Sequence, residues 1–252
     1  MTESQNREFT YHFTGRVFPE RTYVSLVIPD PMQISMPVLN WEGLVHVSIS
    51  VAQISIIFRG KEITDIMTFK NHAQSIAQDL VDALGYSWGR GYAVEITSLT
   101  DPLGRHYVFG VGVPVIEDNP KDRPVTPLTA VELALSNPWL RRAFADLRGA
   151  IREPSDTGFY CMRAAESIRQ HFKALTQAGN GWDELRSALN IRESTLKSLR
   201  EFGTPQRHGE IAVMSDAERA RDMSLAWKVV DRFVALLDRS LTTLPAVEFP
   251  LL

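Results

Sequence analysis

Cysteine is nearly missing from this chain: Cys161 is the only one among 252 residues. A single thiol excludes an intrachain disulfide and any zinc site built from the cysteines of one chain. An excess of charge of one sign is missing too. Twenty-seven lysines and arginines stand against 30 aspartates and glutamates, a net charge of −3. That balance excludes a strongly basic nucleic-acid coat, though not a local basic patch. There is no apolar run of about 18 residues, so no membrane helix is expected. The polar start Met1-Thr2-Glu3-Ser4-Gln5-Asn6 lacks an apolar signal core, which makes a cytoplasmic protein the expectation. His12, His46, His72, His106 and His171 show no ligand spacing such as His-x-x-x-His, so neither a metal nor a cofactor is expected. No Gly-x-Ser-x-Gly elbow occurs. Gly85, Gly89 and Gly91 follow a helical pattern and precede a strand pattern, the reverse of a phosphate loop, and read as a tight connection.

What is present falls into two halves with different periods. Residues 1–116 read as a β-rich domain. Val45, Val47 and Ile49 alternate with polar residues, and Ile54, Ile56 and Phe58 alternate in the opposite phase, so a bulge or bend is expected at Ala52. Thr10 to Phe18 and Tyr23 to Ile28 flank Pro19-Glu20-Arg21 and predict one hairpin. Tyr92 to Thr97 and His106 to Val113 flank Asp101-Pro102-Leu103-Gly104 and predict another. One amphipathic helix, about Asn71 to Leu84 and closed by Gly85, is the available cover for one sheet face. The expected fold class is α+β: a β-rich domain with one covering helix, followed by an antiparallel all-α bundle.

Residues 114–128 carry four prolines, which marks a stiff linker, assigned to 117–128, with the helical domain at 129–252. Thr126-Pro127 and Asn137-Pro138 each place an N-cap residue before a proline at the first helical position. Leu140, Phe144, Leu147 and Ile151 form one apolar stripe; Cys161, Ala165, Ile168, Phe172 and Leu175 form another. Asn190 with Glu193 and Ser215 with Glu218 have capping-box spacing. From Met223 to Leu241 the pattern predicts a long last helix, with Leu225, Val229 and Leu236 outside its main stripe. Those extra apolar positions suggest a homodimer.

The chemistry-bearing residues gather near Arg200, Arg207, His208 and Glu210, after the loop-like run Gly203-Thr204-Pro205-Gln206. A histidine titrates near neutral pH, and an arginine holds phosphate through its planar fork. Together they suit metal-independent RNA cleavage, the histidine assisting attack of a ribose 2′-hydroxyl and the arginine neutralising the developing charge. The same residues suit a turn and a helix end, the commoner role of an Arg-His pair in a loop. Arg163, Glu166 and Arg169 share a polar helix face, with Arg141, Arg142, Arg148 and Arg152 on the preceding helix, a surface suited to an anion or to solvent.

The carboxy-terminal half resembles the HEPN superfamily of helical bundles. The likeness rests on Arg163 and Glu166 in Tyr160-Cys161-Met162-Arg163-Ala164-Ala165-Glu166, on Trp182-x-x-Leu185, on Arg207-His208-Gly209, and on the long last helix, over roughly residues 125–243. The resemblance implies a dimer through the bundle, and either metal-independent ribonuclease activity or a non-catalytic role in bacterial stress or phage defence. The superfamily's catalytic arginine and histidine enclose four to six residues, whereas seven separate Arg200 from His208. The leading expectation is therefore a recognition and dimerisation module that binds RNA or a protein partner. The alternatives are a ribonuclease using Arg200, Arg207 and His208 as catalytic residues, with Arg163, Glu166 and Arg169 binding substrate, and a ligand-sensing β-domain coupled to a helical effector.

Overall fold

A computed structural model describes residues 8–110, 112–117, 123–176, 179–210 and 213–252. The architecture is α+β, and the chain divides into two units between residues 111 and 112. The division lies a few residues before the end assigned to the first domain, because the short helix Pro114–Glu117 follows it. The proline-rich segment lies partly outside the described residues. Its last part already begins a helix at Pro127.

The first unit is an antiparallel sheet with one helix. Its strands are β1 (Phe9–Phe18), β2 (Leu26–Val27), β3 (Met32–Met36), β4 (Trp41–Ser50), β5 (Gln53–Gly60), β6 (Ala93–Thr100) and β7 (His106–Val108), and α1 is Ile66–Trp88. The spatial order is β2-β4-β5-β1-β6-β7, with β3 also paired to β4. The opposed phases around Ala52 are the two arms of a hairpin, not a bulge. Val51 and Ala52 have φ of 48° and 63°, positive at both central positions as a type I′ turn requires. The turn sets Ile49 opposite Ile54, Val47 opposite Ile56 and Val45 opposite Phe58, and all six are buried. The predicted hairpin across Pro19-Glu20-Arg21 does not form. β1 pairs instead with β5 and β6, while Leu26 and Val27 pair with β4. Local turn residues cannot specify a partner that arrives dozens of residues later. The hairpin at Asp101 to Gly104 does form, and Asp101 accepts from the backbone N–H groups of Leu103 and Arg105, both at 2.9 Å.

α1 is longer than its apolar stripe suggests. Asp65 caps it by accepting from Thr68 N at 2.9 Å, and it passes through Gly85 to end at Gly89, where φ is 63°. Its buried face carries Phe69, Ala73, Ala77 and Val81. The Phe69 ring sits 5.2, 5.0 and 4.5 Å from the rings of Tyr11, Phe13 and Phe58. Aromatic pairs at such spacings add to the area term that drives burial.

The second unit is helical: α2 (Pro114–Glu117), α3 (Pro127–Ser136), α4 (Pro138–Arg152), α5 (Thr157–Thr176), α6 (Trp182–Leu189), α7 (Glu193–Arg207) and α8 (Asp216–Asp238). α5 is central and packs on α4, α6, α7 and α8. Both proline N-caps form: Thr126 accepts from Thr129 N at 3.2 Å, and Asn137 from Leu140 N at 3.0 Å. The Ser215–Glu218 capping box is complete. The Asn190–Glu193 box is not. Asn190 ends α6 with φ of 51°, and its side chain donates to the carbonyls of Leu244 and Phe249 at 2.8 and 3.2 Å. The apolar positions of α8 outside its stripe are covered within the bundle. Val229 and Leu236 are buried and Leu225 packs against the same core. They leave no face for a second copy, and that ground for dimerisation falls. Among the described residues, no helix is long and apolar enough to cross a membrane.

Candidate functional site

The Gly203 to Gln206 run is helix, not loop. α7 continues to Arg207 with Pro205 inside it. Gly203 is there for close approach: a Cβ at this position would lie 2.7 Å from Gly158 O, on α5. Gln206 fastens the end of α7 to the start of α5, accepting from Phe159 N at 2.7 Å and donating to Ser155 O at 2.5 Å. His208 closes the helix, and Gly209 follows in the left-handed region with φ of 82°. The Arg207-His208-Gly209 turn is thus a helix carboxy terminus. The macrodipole there is negative, so it favours the Arg207 guanidinium and disfavours a bound phosphate.

The six sequence-predicted site residues do not converge. Arg207 pairs with Glu166, Nη1 to Oε1 2.9 Å, which brings two of them together. His208 is exposed. Arg200 lies eight positions earlier on the same helix, about 12 Å of helical rise away. Its guanidinium stacks 4.9 Å from the Trp182 ring centroid, and that of Arg169 lies 5.2 Å from the same ring. Trp182 therefore holds two arginines, a cation–π arrangement that tethers α5, α6 and α7.

Arg163 is occupied elsewhere. Its Nε donates to Asp146 Oδ1 at 2.7 Å and its Nη2 donates to the same oxygen. Phe159 and Tyr160 rings flank the guanidinium at 4.9 and 4.8 Å. Asp146 is fully buried on α4 and also accepts from Ser167 Oγ at 3.1 Å. An aspartate set among Leu140, Ala143, Leu147 and Ala150 on the buried face of α4 is the signal that the sequence reading passed over.

A second buried polar cluster was also missed. Arg219 on α8 is 5% exposed. It donates to Thr157 Oγ1 at 2.8 Å and reaches the carbonyls of Ala150 and Ile151 at 3.4 Å. It thereby satisfies the carboxy-terminal end of α4, where orphan carbonyls require donors. Burial pushes the nearby Cys161 thiol pKa up, so it stays protonated and inert. Burial likewise raises the Asp222 carboxyl, which accepts from Arg221 at 2.9 Å. Arg219, Thr157, Cys161 and Asp222 are buried within the bundle. Among the described residues, no group of three or more His, Cys, Asp or Glu is placed to hold a metal.

The helical unit has a surface groove of about 690 Å³, lined by His171, Leu175, Glu184, Ser187, Leu241 and Thr243 among others. Desolvation lowers the His171 pKa, and its ring packs 4.9 Å from Phe233.

No curated protein and no solved structure matches the chain. Two family models match it in order along the sequence. Residues 11–109 match the family described as "Domain of unknown function (DUF8168) N-terminal domain", and residues 126–238 match "Domain of unknown function (DUF8168) C-terminal domain".

Proposed function

We propose that this protein is a recognition module whose HEPN-like helical unit pairs with a second copy of itself through α3. The observation that carries the reading is the composition and exposure of that helix. Leu128, Val131 and Leu135 are 69%, 55% and 72% exposed. They recur at spacings of three and four, so they share one face. Leu133, on the other side, packs against the bundle core. α3 is thus apolar on two faces with one charge, Glu132, along its length. Apolar residues exposed singly are ordinary, but an aligned stripe on one helix marks an association surface. A two-fold axis lets such a stripe cover itself, each copy burying the other's leucines, and the dearth of charge leaves little repulsion to overcome.

Ribonuclease activity has less support. Arg200 lies about two helical turns from His208, Arg207 beside it is paired with Glu166, and the helix end there disfavours phosphate. A place in bacterial stress or defence rests on the superfamily resemblance alone.

The test is mass in solution by analytical ultracentrifugation. The wild type is expected to be dimeric at micromolar concentration, and Leu135→Glu monomeric with an unchanged melting temperature. A monomeric wild type, or a Leu135→Glu variant that remains dimeric, removes α3 as the interface.

A further inference from the structure

We infer that the first unit carries a binding site for a nucleobase with its phosphate, in the cleft between the β1–β2 connection and the α1–β6 connection. This goes beyond the dimerisation reading and does not depend on it.

The cleft measures about 440 Å³ and is lined by Pro19, Arg21, Tyr23, Trp88, Arg90 and Tyr92, with Thr22, Val24 and Gly91. That volume lies in the range of small-ligand sites and suits about one nucleotide. Three aromatic rings and two guanidinium groups surround it, and no carboxylate is in the lining. Tyr23 is 87% exposed and Trp88 50% exposed, whereas Tyr92, 9% exposed, belongs to the core of the sheet. The fold gains little from presenting the Tyr23 and Trp88 rings at one concavity, whereas a ligand that stacks on them does.

The walls are preorganised. Gly85 permits the turn: a Cβ there would lie 2.3 Å from Arg90 O, so only glycine lets the chain fold back after α1. Arg90 N then donates to Gly85 O at 2.9 Å. Gln78 pins the start of β6, donating to Tyr92 O at 3.1 Å and accepting from Val94 N at 2.8 Å. On the opposite wall Thr22 N donates to Pro19 O, and Ala52 N to Val24 O, both at 2.9 Å. Within the cleft the Arg90 guanidinium lies 5.9 Å from the Trp88 ring centroid and 3.5 Å from the Tyr92 hydroxyl. The hydrogen bond from Arg90 lowers the Tyr92 pKa. The Trp88 and Tyr92 rings stand edge to face at 6.5 Å.

The lining chooses the ligand class. An uncharged apolar ligand leaves two guanidinium groups unpaired, and a bare anion leaves the rings unused. A base stacks on tryptophan or tyrosine whatever its identity, and its phosphate meets arginine's planar fork. The base and phosphate come either from a free mononucleotide or from a single-stranded nucleic acid.

Equilibrium dialysis of the full chain with labelled AMP, UMP, hexauridylate, adenosine and inorganic phosphate tests this. Saturable binding of a mononucleotide or of hexauridylate is expected, with adenosine and inorganic phosphate each bound at least tenfold more weakly. Trp88→Ala and Arg90→Ala are each expected to weaken binding at least tenfold at an unchanged melting temperature, since both side chains are exposed. Leu135→Glu is expected to bind as the wild type does, which separates this site from the α3 surface. Binding of hexauridylate alone assigns the cleft to a nucleic-acid strand, and binding of AMP or UMP assigns it to free nucleotides. Absence of saturable binding to all three nucleotide ligands overturns the inference. So does binding that survives both cleft substitutions, or inorganic phosphate bound as tightly as AMP.

Discussion

The Arg163 guanidinium grips the fully buried carboxylate of Asp146, Nε to Oδ1 2.7 Å, and so locks α5 to α4. Removing Arg163 leaves a buried carboxylate with Ser167 and the more exposed Arg142, 3.5 Å away, as partners. Arg163→Ala is expected to lower stability by about 3 kcal/mol, as for other broken buried pairs. Urea denaturation measures it. Asp146→Leu combined with Arg163→Met is expected to recover much of the loss, since an apolar replacement avoids the desolvation cost. A stability change below about 0.5 kcal/mol for Arg163→Ala, the size of an ordinary surface substitution, returns Arg163 to the pool of free binding residues.

His208 is exposed at the end of α7, and Arg200 stacks on Trp182 instead of facing it. The wild type is accordingly expected to show no RNA cleavage in the presence of EDTA, and His208→Ala to shift stability by no more than about 0.5 kcal/mol. Gel assays on a mixed-sequence RNA check the first point. EDTA-resistant cleavage that disappears in His208→Ala, with melting unchanged, replaces the recognition reading with the ribonuclease.

Asp231 should make stability depend on pH. It accepts from Arg123 Nη1 at 2.6 Å, yet burial outweighs that contact and raises its pKa to about 6. An unfolded aspartate titrates near 3.9, so the folded state holds the proton more tightly. The contribution is fully present below about pH 4 and is lost as pH rises through about 6. Relative to Asp231→Asn, the wild type is expected to gain up to about 3 kcal/mol between about pH 7.5 and pH 4. Thermal melts of both proteins across that range measure the difference. A difference that is flat, or that grows toward high pH, is incompatible with this assignment.

The β4–β5 turn is built from residues poorly suited to it. Val51 and Ala52 both hold positive φ, a region that costs a residue with a Cβ, and most of all a β-branched one. Val51→Asn with Ala52→Gly supplies the residues a type I′ turn favours. The double variant is expected to be more stable by about 1 kcal/mol, read as a rise in the urea midpoint. A lower midpoint means that the packing of Ala52, which is 4% exposed, outweighs the backbone strain.

Sequence by itself determined the elements whose signals are local. Period-2 alternation marked the arms around Val47 and Ile56, and 3.6-residue stripes marked α1, α4, α5 and α8. Asn137 and Ser215 announced their helix starts, because a cap is a bond to an N–H two or three residues on. Tertiary structure decided what joins residues far apart in the chain. It chose β5 and β6 as the partners of β1 over the nearer β2, and it turned Asn190 from a cap for α7 into an anchor for Leu244 and Phe249. It carried α7 straight through Gly203 and Pro205, since the close contact with Gly158 rewards a helix where local propensity opposes one. The candidate site divided in the same way. The sequence displays Arg163, Arg200 and His208 as equals, but only the fold settles which are consumed by Asp146 and Trp182. It also gathers Tyr23, Trp88 and Arg90, from opposite ends of the first unit's sequence, around one cleft. Charge and ring partners are chosen by three-dimensional proximity, which no local pattern encodes.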